Sequence, residues 1–536
     1  MTKDKLYIFF WAIKSFDMKH RTFYNICIII SFLLGFMSLG ACSTPTAYDQ
    51  VVESYAHDSL KREAAVYLAT YSKFHYGVAR NIVDANGQFS NLSPMMFASD
   101  SVYRAYMDSL HYYLKKGKPV LDEDTITEAY LKKNIDLAFD SWRKPWAKGV
   151  SFADFCRYIL PYRNGDEELT EWRDYLKQKY EHLITDSMME NANTKDLAEF
   201  MMRQIRKHVK YSTRFNSITK GFLTPKEAEK IGYLECQACA NYATMVMRAC
   251  GIPCELIEIH WRFTEVPHSS VMFPKTASNP KPFRLTIGDE LTYMGEAKDT
   301  MASYRTWAYQ YEVNKDLLRL VEDENVPKSY LKPLCRTDVT SLMSTTYSIR
   351  LAVPDSLKDK PELFLCRFHE WKWYPIREGF VDGDSVEFKH ATIRQLYRLG
   401  YAVDGEVKTF GCLFTLLGNG KIQKYDQTGE NVHFKIAYSC DSTETLLTRN
   451  ITTTFCWDKA NKWKAVVRQA PLWGFNKTTG EYKLFEESMR GPFIPVFHLY
   501  EVDLPMWTAF YSKELPRPVG FICRDPNTGE GYMMQF

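Results

Sequence analysis

The cysteine at position 236 lies at the start of a predicted helix, where a thiol can serve as a nucleophile. The run from Ala238 to Ala249 is rich in Ala and Met and contains neither Gly nor Pro, which favours a largely buried helix of about three turns. Gly251 and then Pro253 predict its end, because a left-handed cap is followed by a residue that cannot continue a helix. The positive end of the helix dipole favours a thiolate, so Cys236 is expected to ionise easily.

The segment around this cysteine resembles the transglutaminase-like superfamily, whose fold is related to that of papain. Members carry a Cys at a helix start, a small residue one turn later, an Arg near the helix end and then Gly-Ile-Pro. These positions are matched here by Cys236, Ala240, Arg248 and Gly251-Ile252-Pro253. The resemblance implies a helix followed by antiparallel strands, with cysteine-dependent acyl chemistry.

The resemblance also implies a His on a strand and an Asp on the following strand. The best matches are His268, 32 residues after Cys236, and Asp289, 21 residues after that His. Two positions depart from the family pattern. Ser270 stands two residues after the His, where members usually have Trp, and Leu234 stands two residues before the Cys, where they have Gly.

Three catalytic roles follow from the resemblance. Cys236 attacks an acyl carbon as a thiolate, His268 takes and returns the proton, and Asp289 fixes the tautomer of the imidazole. The thioester then passes to water or to an amine, and the resemblance implies that hydrolysis is the commoner outcome. The expected substrate is a peptide, glycopeptide or glycan. Trp261 and Tyr233 are candidate substrate-binding residues, with core packing as the alternative for Trp261, and no cofactor is expected.

Each catalytic candidate has a simpler structural alternative. Cys236 can be a small buried hydrophobic residue, as most free cysteines are. His260, inside the first predicted strand after the helix, is a rival to His268 as the base. Glu290 and Asp299 lie near the candidate acid, and acidic residues after strands are common. These alternatives stay open at the level of the sequence.

A second hypothesis is a metal site. Cys236, Cys239, Cys250 and Cys254 form the pattern C-x2-C-x10-C-x3-C, and zinc sites use such pairs. Against zinc, the residues between the pairs form an apolar helix rather than a ligand-presenting knuckle. The third cysteine of the pattern also lies about three helical turns beyond the second, too far to share one ion.

A third hypothesis is a binding lipoprotein without catalytic activity. The departures from the family pattern at Ser270 and Leu234 favour it. Aromatic residues make up 15% of the chain and are spread over its whole length, which suits large β cores and also a sugar-binding platform. In this hypothesis the β domains bind glycan or another envelope component, and the cleft around Cys236 serves as a ligand groove instead of an active site.

Composition and charge narrow the range of partners. The 536 residues predict several domains, and 45% hydrophobic with 25% charged residues is ordinary for a globular protein. The 68 basic residues nearly balance the 65 acidic ones, which leaves a net charge of +3. Nothing in this balance argues for nucleic acid or for an anionic membrane surface as a partner.

The N-terminal residues follow the order of a bacterial lipoprotein signal. Lys19-His20-Arg21 is a basic cluster, and Ile28 to Met37 is an apolar run too short to span a bilayer comfortably. Leu39 to Cys42 then resembles a lipobox. The pattern predicts cleavage before Cys42, lipidation on it, and anchoring in the cell envelope at the outer membrane of a Gram-negative bacterium. An uncleaved membrane anchor is the alternative.

The cysteine count argues against a disulfide-dense scaffold. Of the 13 cysteines, Cys27 leaves with the signal and Cys42 takes the lipid. The remainder is an odd number without the regular spacing of a disulfide framework, although single bridges stay open for an envelope protein.

Hydrophobic periodicity predicts an α+β fold in several regions. After a signal at 1–41, a helical region is predicted over 42–194, and the resemblance implies a transglutaminase-like core over 195–325. The chain then alternates in the manner of strands, which predicts β-sandwich-like domains over 338–430 and 431–536.

Local signals add detail to these regions. Thr224 to Glu227 predicts a capping box, and Ala302 to Val321 is predicted to be helical. Gly418 to Lys421 predicts a tight hairpin turn. Arg163 and Arg173 belong to a segment of unusual composition, where a structural brace of ion pairs is favoured over a role in lining the cleft.

Overall fold

The computed structural model describes most of the chain after residue 44. The described residues are 45–88, 90, 97–185, 193–212, 221–261, 267–288, 291–295, 303–369, 372–393, 395–431 and 435–439, and eight strands between 452 and 535. The chain divides into two compact units, Met1–Thr46 and Ala47–Phe536. The candidate lipobox and Cys42 lie outside the described residues. No helix in the described part of the chain combines the length and the apolar character that crossing a bilayer requires.

The helices form where the sequence supplies a cap and an apolar face. The side chains of Asp58, Thr127, Ser151 and Asn193 each accept a backbone N–H in the first turn of the helix that follows. The predicted capping box of Thr224 and Glu227 is confirmed. The α-helices of the described residues are Ala47–Ser54, Ser59–Tyr71, Asp100–Ser109, Asp122–Thr125, Glu128–Trp142, Phe152–Tyr158, Trp172–Tyr180, Thr194–Ile205, Pro225–Ile231, Cys236–Ala249, Lys315–Leu320, Lys328–Leu331 and Thr340–Met343.

The strands become dense after the helix that begins at Cys236. In the first half of the chain they are β1 Tyr76–Gly77, β2 Arg80–Val83, β3 Tyr113–Lys116, β4 Val120–Leu121, β5 Lys210–Tyr211, β6 Tyr233–Leu234, β7 Glu255–Trp261 and β8 His268–Phe273. Next come β9 Phe283–Leu285, β10 Leu291–Tyr293, β11 Ser303–Tyr309, β12 Arg336–Asp338, β13 Thr346–Ala352, β14 Glu362–His369, β15 Lys372–Asp382, β16 Ser385–Thr392, β17 Leu396–Val403, β18 Glu406–Leu416 and β19 Ile422–Asn431. The last are β20 Lys435–Ser439, β21 Thr452–Trp457, β22 Trp463–Arg468, β23 Trp473–Asn476, β24 Tyr482–Leu484, β25 Phe493–Glu501, β26 Trp507–Tyr511, β27 Pro518–Arg524 and β28 Gly531–Gln535.

The helix Cys236–Ala249, the central helix, is the most deeply buried helix of the predicted core. All of its residues from Ala238 onward are buried, as the Ala- and Met-rich composition predicts. Gly251 ends it in the left-handed conformation with a φ of 76°. A Cβ at that position would lie 2.3 Å from the carbonyl oxygen of Ser141, so both the backbone angle and the close approach require glycine.

The central helix packs against a six-stranded antiparallel sheet in the order β10-β9-β8-β7-β11-β12. The predicted helix from Ala302 to Val321 is wrong in its first half. Ser303–Tyr309 is strand β11, and only Lys315–Leu320 is helical. The reason is that β11 pairs with β7 on one edge and with β12 on the other, so non-local pairing overrides a locally helical pattern.

A ten-stranded antiparallel sheet follows, in the order β13-β16-β15-β14-β17-β18-β19-β26-β27-β28. The predicted turn at Gly418–Lys421 is confirmed, since Leu416 pairs with Ile422 across it. The boundary predicted between residues 430 and 431 falls on β19, which pairs with β18 on one side and β26 on the other. The fold is therefore mixed helix and sheet, with antiparallel sheets, as the predicted α+β class requires.

Candidate active site

Cys236 is the first residue of the central helix, as predicted, and the residue before it is an acidic cap. Glu235 Oε1 accepts the N–H of Ala238 at 2.8 Å, and its Oε2 accepts the N–H of Gln237 at 2.8 Å. A carboxylate is stable here because it neutralises unpaired N–H groups at the positive end of the helix. The Cys236 sulfur lies 3.5 Å from Glu235 Oε2.

These surroundings reverse the predicted ionisation of the thiol. Burial, and then the negative charge of Glu235, raise the pKa of Cys236 to about 12. The backbone N–H groups of Ser269 and Gln237 act in the opposite direction, since they stabilise a thiolate. The expectation of an easily ionised cysteine is therefore wrong for the resting site, because burial and the carboxylate of Glu235 together outweigh the effect of the helix start.

His268 and Cys236 line one cavity of about 240 Å³, which we call the cysteine cavity. The Cys236 sulfur lies 4.0 Å from the carbonyl oxygen of Pro267, the residue directly before the histidine. The described residues that line the cavity are Met202, Tyr211, Cys236, Cys239, Ala240, Ala243, His268, Ser269, Ser270, Val271, Leu285, Thr286, Ile287 and Gly288. The strand β8 thus brings the predicted base to the same cavity as the predicted nucleophile.

The chain directly before the predicted acid also reaches this cavity. In the pairing of β8 with β9, Val271 lies opposite Leu285. Strand β9 ends at Leu285, and the three residues that follow it, Thr286, Ile287 and Gly288, line the cysteine cavity. Asp289 itself lies outside the described residues, as do its rivals at positions 290 and 299.

His260, the rival candidate for the base, lies away from the cysteine cavity. His260 Nε2 lies 2.7 Å from Glu258 Oε1, and its Nδ1 lies 3.5 Å from the hydroxyl of Tyr304. His260 lines a second cavity that shares no described lining residue with the cysteine cavity. Of the two histidines, His268 is therefore the one that the fold brings to Cys236.

The two predicted substrate-binding residues lie outside the described lining of the cysteine cavity. Trp261 is buried and its ring is stacked on that of His268, with 6.4 Å between centroids and 24° between planes. This contact suits a residue that orients the imidazole. Tyr233 is 38% exposed on β6, and the tyrosine that lines the cavity is Tyr211, on the partner strand β5.

Sequence reasoning missed two features of the site. Glu235 was visible as an acidic residue directly before a predicted helix, where a negative charge is favourable. Tyr211 carried no such signal, because it reaches the cavity only through the pairing of the two-residue strands β5 and β6.

The other cysteines of the C-x2-C-x10-C-x3-C pattern are buried and separate from one another. Cys239 Sγ faces the carbonyl oxygen of Leu234 at 3.5 Å, and Cys254 Sγ faces that of Thr244 at 3.7 Å. Burial raises the pKa of Cys239 well above its ordinary value and that of Cys254 to about 12. Within the described residues, no three His, Cys, Asp or Glu side chains converge as a metal ion would require.

The arginines predicted to brace the core are buried beside the central helix. Arg163 forms an ion pair with Asp122, with 2.5 Å between its Nη2 and Oδ1, which confirms that part of the prediction. Arg173 instead donates to backbone carbonyls, including that of Arg248 at 3.1 Å, and to Asn134 Oδ1 at 2.8 Å. Both arginines therefore hold the helices around the core.

Comparisons of the chain with protein-family models, with curated proteins and with solved structures gave no match. The class of the site is therefore defined by its own geometry. A partly buried thiol at a helix start and an imidazole on the adjacent antiparallel strand line one cavity, which is an arrangement suited to nucleophilic acyl chemistry.

Proposed function

We propose that this protein is a cysteine hydrolase with a transglutaminase-like core, which cleaves a peptide or amide bond through a thioester. The observation that carries the proposal is that Cys236 and His268 line the same cavity, with the sulfur 4.0 Å from the carbonyl of Pro267. The packing of the central helix on an antiparallel sheet, helix first in the chain and strands after it, also supports it.

The chemistry begins with a neutral thiol, because the pKa of Cys236 is raised by burial and by Glu235. His268 accepts the thiol proton as Cys236 Sγ attacks the acyl carbon, and then delivers that proton to the departing amine. Water, deprotonated by His268, attacks the thioester. The C–S bond breaks, the carboxylic acid leaves, and the proton returns to sulfur.

Two backbone donors beside the sulfur support stabilisation of negative charge during this attack. The N–H groups of Ser269 and Gln237 already favour the thiolate form of Cys236. Donors to the sulfur lower the free-energy cost of forming the thiolate that attacks the acyl carbon. We assign the orientation of His268 to Asp289, which follows Gly288 in the chain.

The size of the cavity limits what enters it. A volume of about 240 Å³ holds an acyl side chain but not a whole glycopeptide. The substrate of the proposed reaction therefore inserts one side chain and leaves the rest outside.

A second candidate function is binding without turnover, and Glu235 is the observation that favours it. Its carboxylate lies 3.5 Å from the sulfur, where it disfavours the thiolate that a resting cysteine hydrolase uses. In that case the cysteine cavity is a ligand groove, and the aromatic-rich β region contributes the remainder of a glycan- or protein-binding surface.

A peptide chloromethyl ketone separates these functions, because it alkylates a cysteine that a neighbouring histidine activates. Mass spectrometry of the intact protein and of its peptides should find the label on Cys236. Cys236→Ala should lose the label, and His268→Ala should label about 100-fold more slowly, as expected for the loss of a general base.

Cys412→Ser is the matched control for background alkylation, because Cys412 is an exposed thiol away from the cysteine cavity. It should leave the rate at Cys236 unchanged. Labelling of Cys236 at the same rate with and without His268 would reject the hydrolase and leave the binding protein.

We also propose that the protein is a lipid-anchored envelope protein, with Cys42 carrying the lipid. The support is the order of basic cluster, apolar run and lipobox-like residues before Cys42. Metabolic labelling with a fatty acid should mark the wild type, and Cys42→Ser should lose both the label and the membrane fraction. Cys27→Ser, a cysteine substitution in the same N-terminal segment, is the control and should keep both.

A further inference from the structure

A second cavity of about 450 Å³ lies between the six-stranded sheet and the start of the ten-stranded sheet. We call it the arginine cavity, because Arg305, Arg336 and Arg367 line it and no Asp or Glu is among its described lining residues. Tyr374, which is 41% exposed, stands at its rim. A cation-lined space with no acid in its described lining favours a negatively charged occupant.

The charge of Arg305 is compensated by two carboxylates that do not line the cavity, those of Glu378 and Asp338. Its Nη2 donates to both carboxylate oxygens of Glu378, at 3.0 and 2.9 Å, and its Nε lies 3.3 Å from Asp338 Oδ2. This bidentate pair compensates the charge of Arg305. Arg305 therefore does not supply an uncompensated positive charge to the cavity.

Arg336 differs from Arg305 in its partners. Its side chain belongs to a residue only 7% exposed, and its Nη2 donates to the neutral carbonyl of Tyr330 at 2.8 Å. Its Nε is fully buried, and no described residue is a hydrogen-bond partner for it. Among the described residues, no carboxylate lies within ion-pair distance of this guanidinium.

The ring beneath Arg336 holds the guanidinium at the cavity. Its central carbon lies 4.1 Å from the centroid of Trp307, and that of Arg305 lies 3.7 Å from the same ring. Burial, and then the charge of Arg305, lower the pKa of Arg336. An anion in the cavity would offset this cost by interacting with the charged form.

Arg367 completes the cationic wall from the ten-stranded sheet. Its residue is 3% exposed, its guanidinium lies 4.4 Å from the ring of Tyr304, and its Nη1 donates to the carbonyl of Trp261 at 3.2 Å. Strands β11, β12 and β14 thus bring three guanidiniums to one space.

We propose that the arginine cavity binds a small organic anion, through a carboxylate or phosphate group that pairs with Arg336. The volume accommodates a ligand about the size of one monosaccharide. The exposed ring of Tyr374 offers a face against which a sugar ring or a planar group can pack. The proposal is independent of the hydrolase, since the arginine and cysteine cavities share no described lining residue.

Titration calorimetry on the full-length protein tests this with D-glucuronate, inorganic phosphate and the neutral sugar D-glucose at constant ionic strength. Glucuronate or phosphate should bind and glucose should not. Binding of glucuronate alone indicates a sugar acid, and binding of phosphate alone indicates a phosphorylated ligand. Absence of binding by both anions, or equal binding of glucose, overturns the proposal.

Two matched pairs of substitutions locate the site. Ser329 is exposed and lines the cavity, so Ser329→Glu adds a negative charge without removing a buried group, whereas Ser329→Gln adds the same bulk without charge. Ser329→Glu should weaken anion binding about tenfold or more, and Ser329→Gln should not. Arg336→Gln should abolish it, while Arg350→Gln, at an exposed arginine on β13, should leave it intact. Anion binding that survives both Ser329→Glu and Arg336→Gln would reject the arginine cavity as the site.

Discussion

The cysteine cavity and the arginine cavity lie in one fold but hold charge in opposite ways. In the cysteine cavity, burial disfavours the thiolate and the carboxylate of Glu235 disfavours it further. In the arginine cavity, burial disfavours the guanidinium of Arg336, yet the described lining contains no acid to neutralise it. Burial thus disfavours the charged form of both groups, and a neighbour of like charge, Glu235 beside Cys236 and Arg305 beside Arg336, disfavours it further.

Two consecutive residues of β7 lie next to the two cavities. His260 lines the arginine cavity, whereas the next ring, that of Trp261, is stacked on His268 of the cysteine cavity. The carbonyl of Trp261 also accepts from Arg367. A change on one side of this strand can therefore be tested for its effect on the other side.

The largest expected effect comes from removing the carboxylate behind the arginine cavity. Asp338 Oδ2 lies 2.6 Å from Arg377 Nη1 and 3.3 Å from Arg305 Nε. Asp338→Asn keeps the shape and removes the charge, which leaves two buried cations with one partner fewer. We expect the free energy of unfolding, measured with urea, to fall by about 3–5 kcal/mol.

The pH dependence gives the same residue a second signature. Burial alone would raise the pKa of Asp338, but the charges of Arg377 and Arg305 outweigh it and hold this pKa well below its ordinary value. Its stabilisation is therefore complete above the unfolded-state pKa of about 4 and is lost as the pH falls further. Asp338→Asn should flatten that acid-side loss, and Asp359→Asn, at an exposed position, should not. If the loss of unfolding free energy at acid pH were the same in Asp338→Asn as in the wild type, the lowered pKa of Asp338 would not be its cause.

The second effect concerns the carboxylate beside the thiol. Glu235→Gln removes the negative charge 3.5 Å from Cys236 Sγ while leaving an oxygen that can still cap the helix. The pKa of Cys236 should fall, because its second-largest cause of elevation is removed. Iodoacetamide should then modify Cys236 about tenfold faster at about pH 8, since each unit of pKa changes the thiolate fraction tenfold.

Glu227→Gln is the matched control for this change. Glu227 also closes a helix start, in the capping box with Thr224, but it is absent from the described lining of the cysteine cavity. It should cost some stability and leave the alkylation rate at Cys236 unchanged. Equal rates in Glu235→Gln and the wild type would mean that Glu235 does not control the thiol.

Local signals in the sequence account for much of the scaffold. The end of the central helix at Gly251, the capping box at Thr224 and the turn at Gly418–Lys421 each depend on a few adjacent residues, and all three are present. The strand at Ser303–Tyr309 was missed because its conformation depends on partners more than 25 residues away on either side, Trp261 and Arg336 among them.

The candidate sites also contain residues that local sequence signals predict and residues that only the tertiary fold brings together. Cys236 could be selected from its position at a helix start, and His268 from its spacing, because one helix and one following strand bring them together. The raised pKa of Cys236 depends on burial and then on the position of the Glu235 carboxylate, and residue spacing reveals neither. The arginine cavity combines β7, β11, β12, β14 and β15, so no local motif could predict it.

A smaller effect is expected at the neighbouring thiol. Cys239 is 2% exposed and its sulfur faces the carbonyl of Leu234, one turn inside the central helix. Cys239→Ala should lower the free energy of unfolding by about 1 kcal/mol, since it removes a small buried group. Labelling of Cys236 by the peptide chloromethyl ketone should continue at nearly the wild-type rate. If Cys239→Ala abolished labelling and Cys236→Ala did not, the nucleophile would be Cys239.

The smallest expected effect is that of His260→Gln on the alkylation rate of Cys236, and it separates the two histidines. His260 pairs with Glu258 and lines the arginine cavity, whereas His268 lines the cysteine cavity. His260→Gln should therefore leave the alkylation rate of Cys236 within about twofold of the wild type, while His268→Gln lowers it about 100-fold. Glucuronate titrations of the same two variants should show the reverse preference, with the weaker binding in His260→Gln. A loss of Cys236 alkylation in His260→Gln as large as that in His268→Gln would show that the two cavities act as one site.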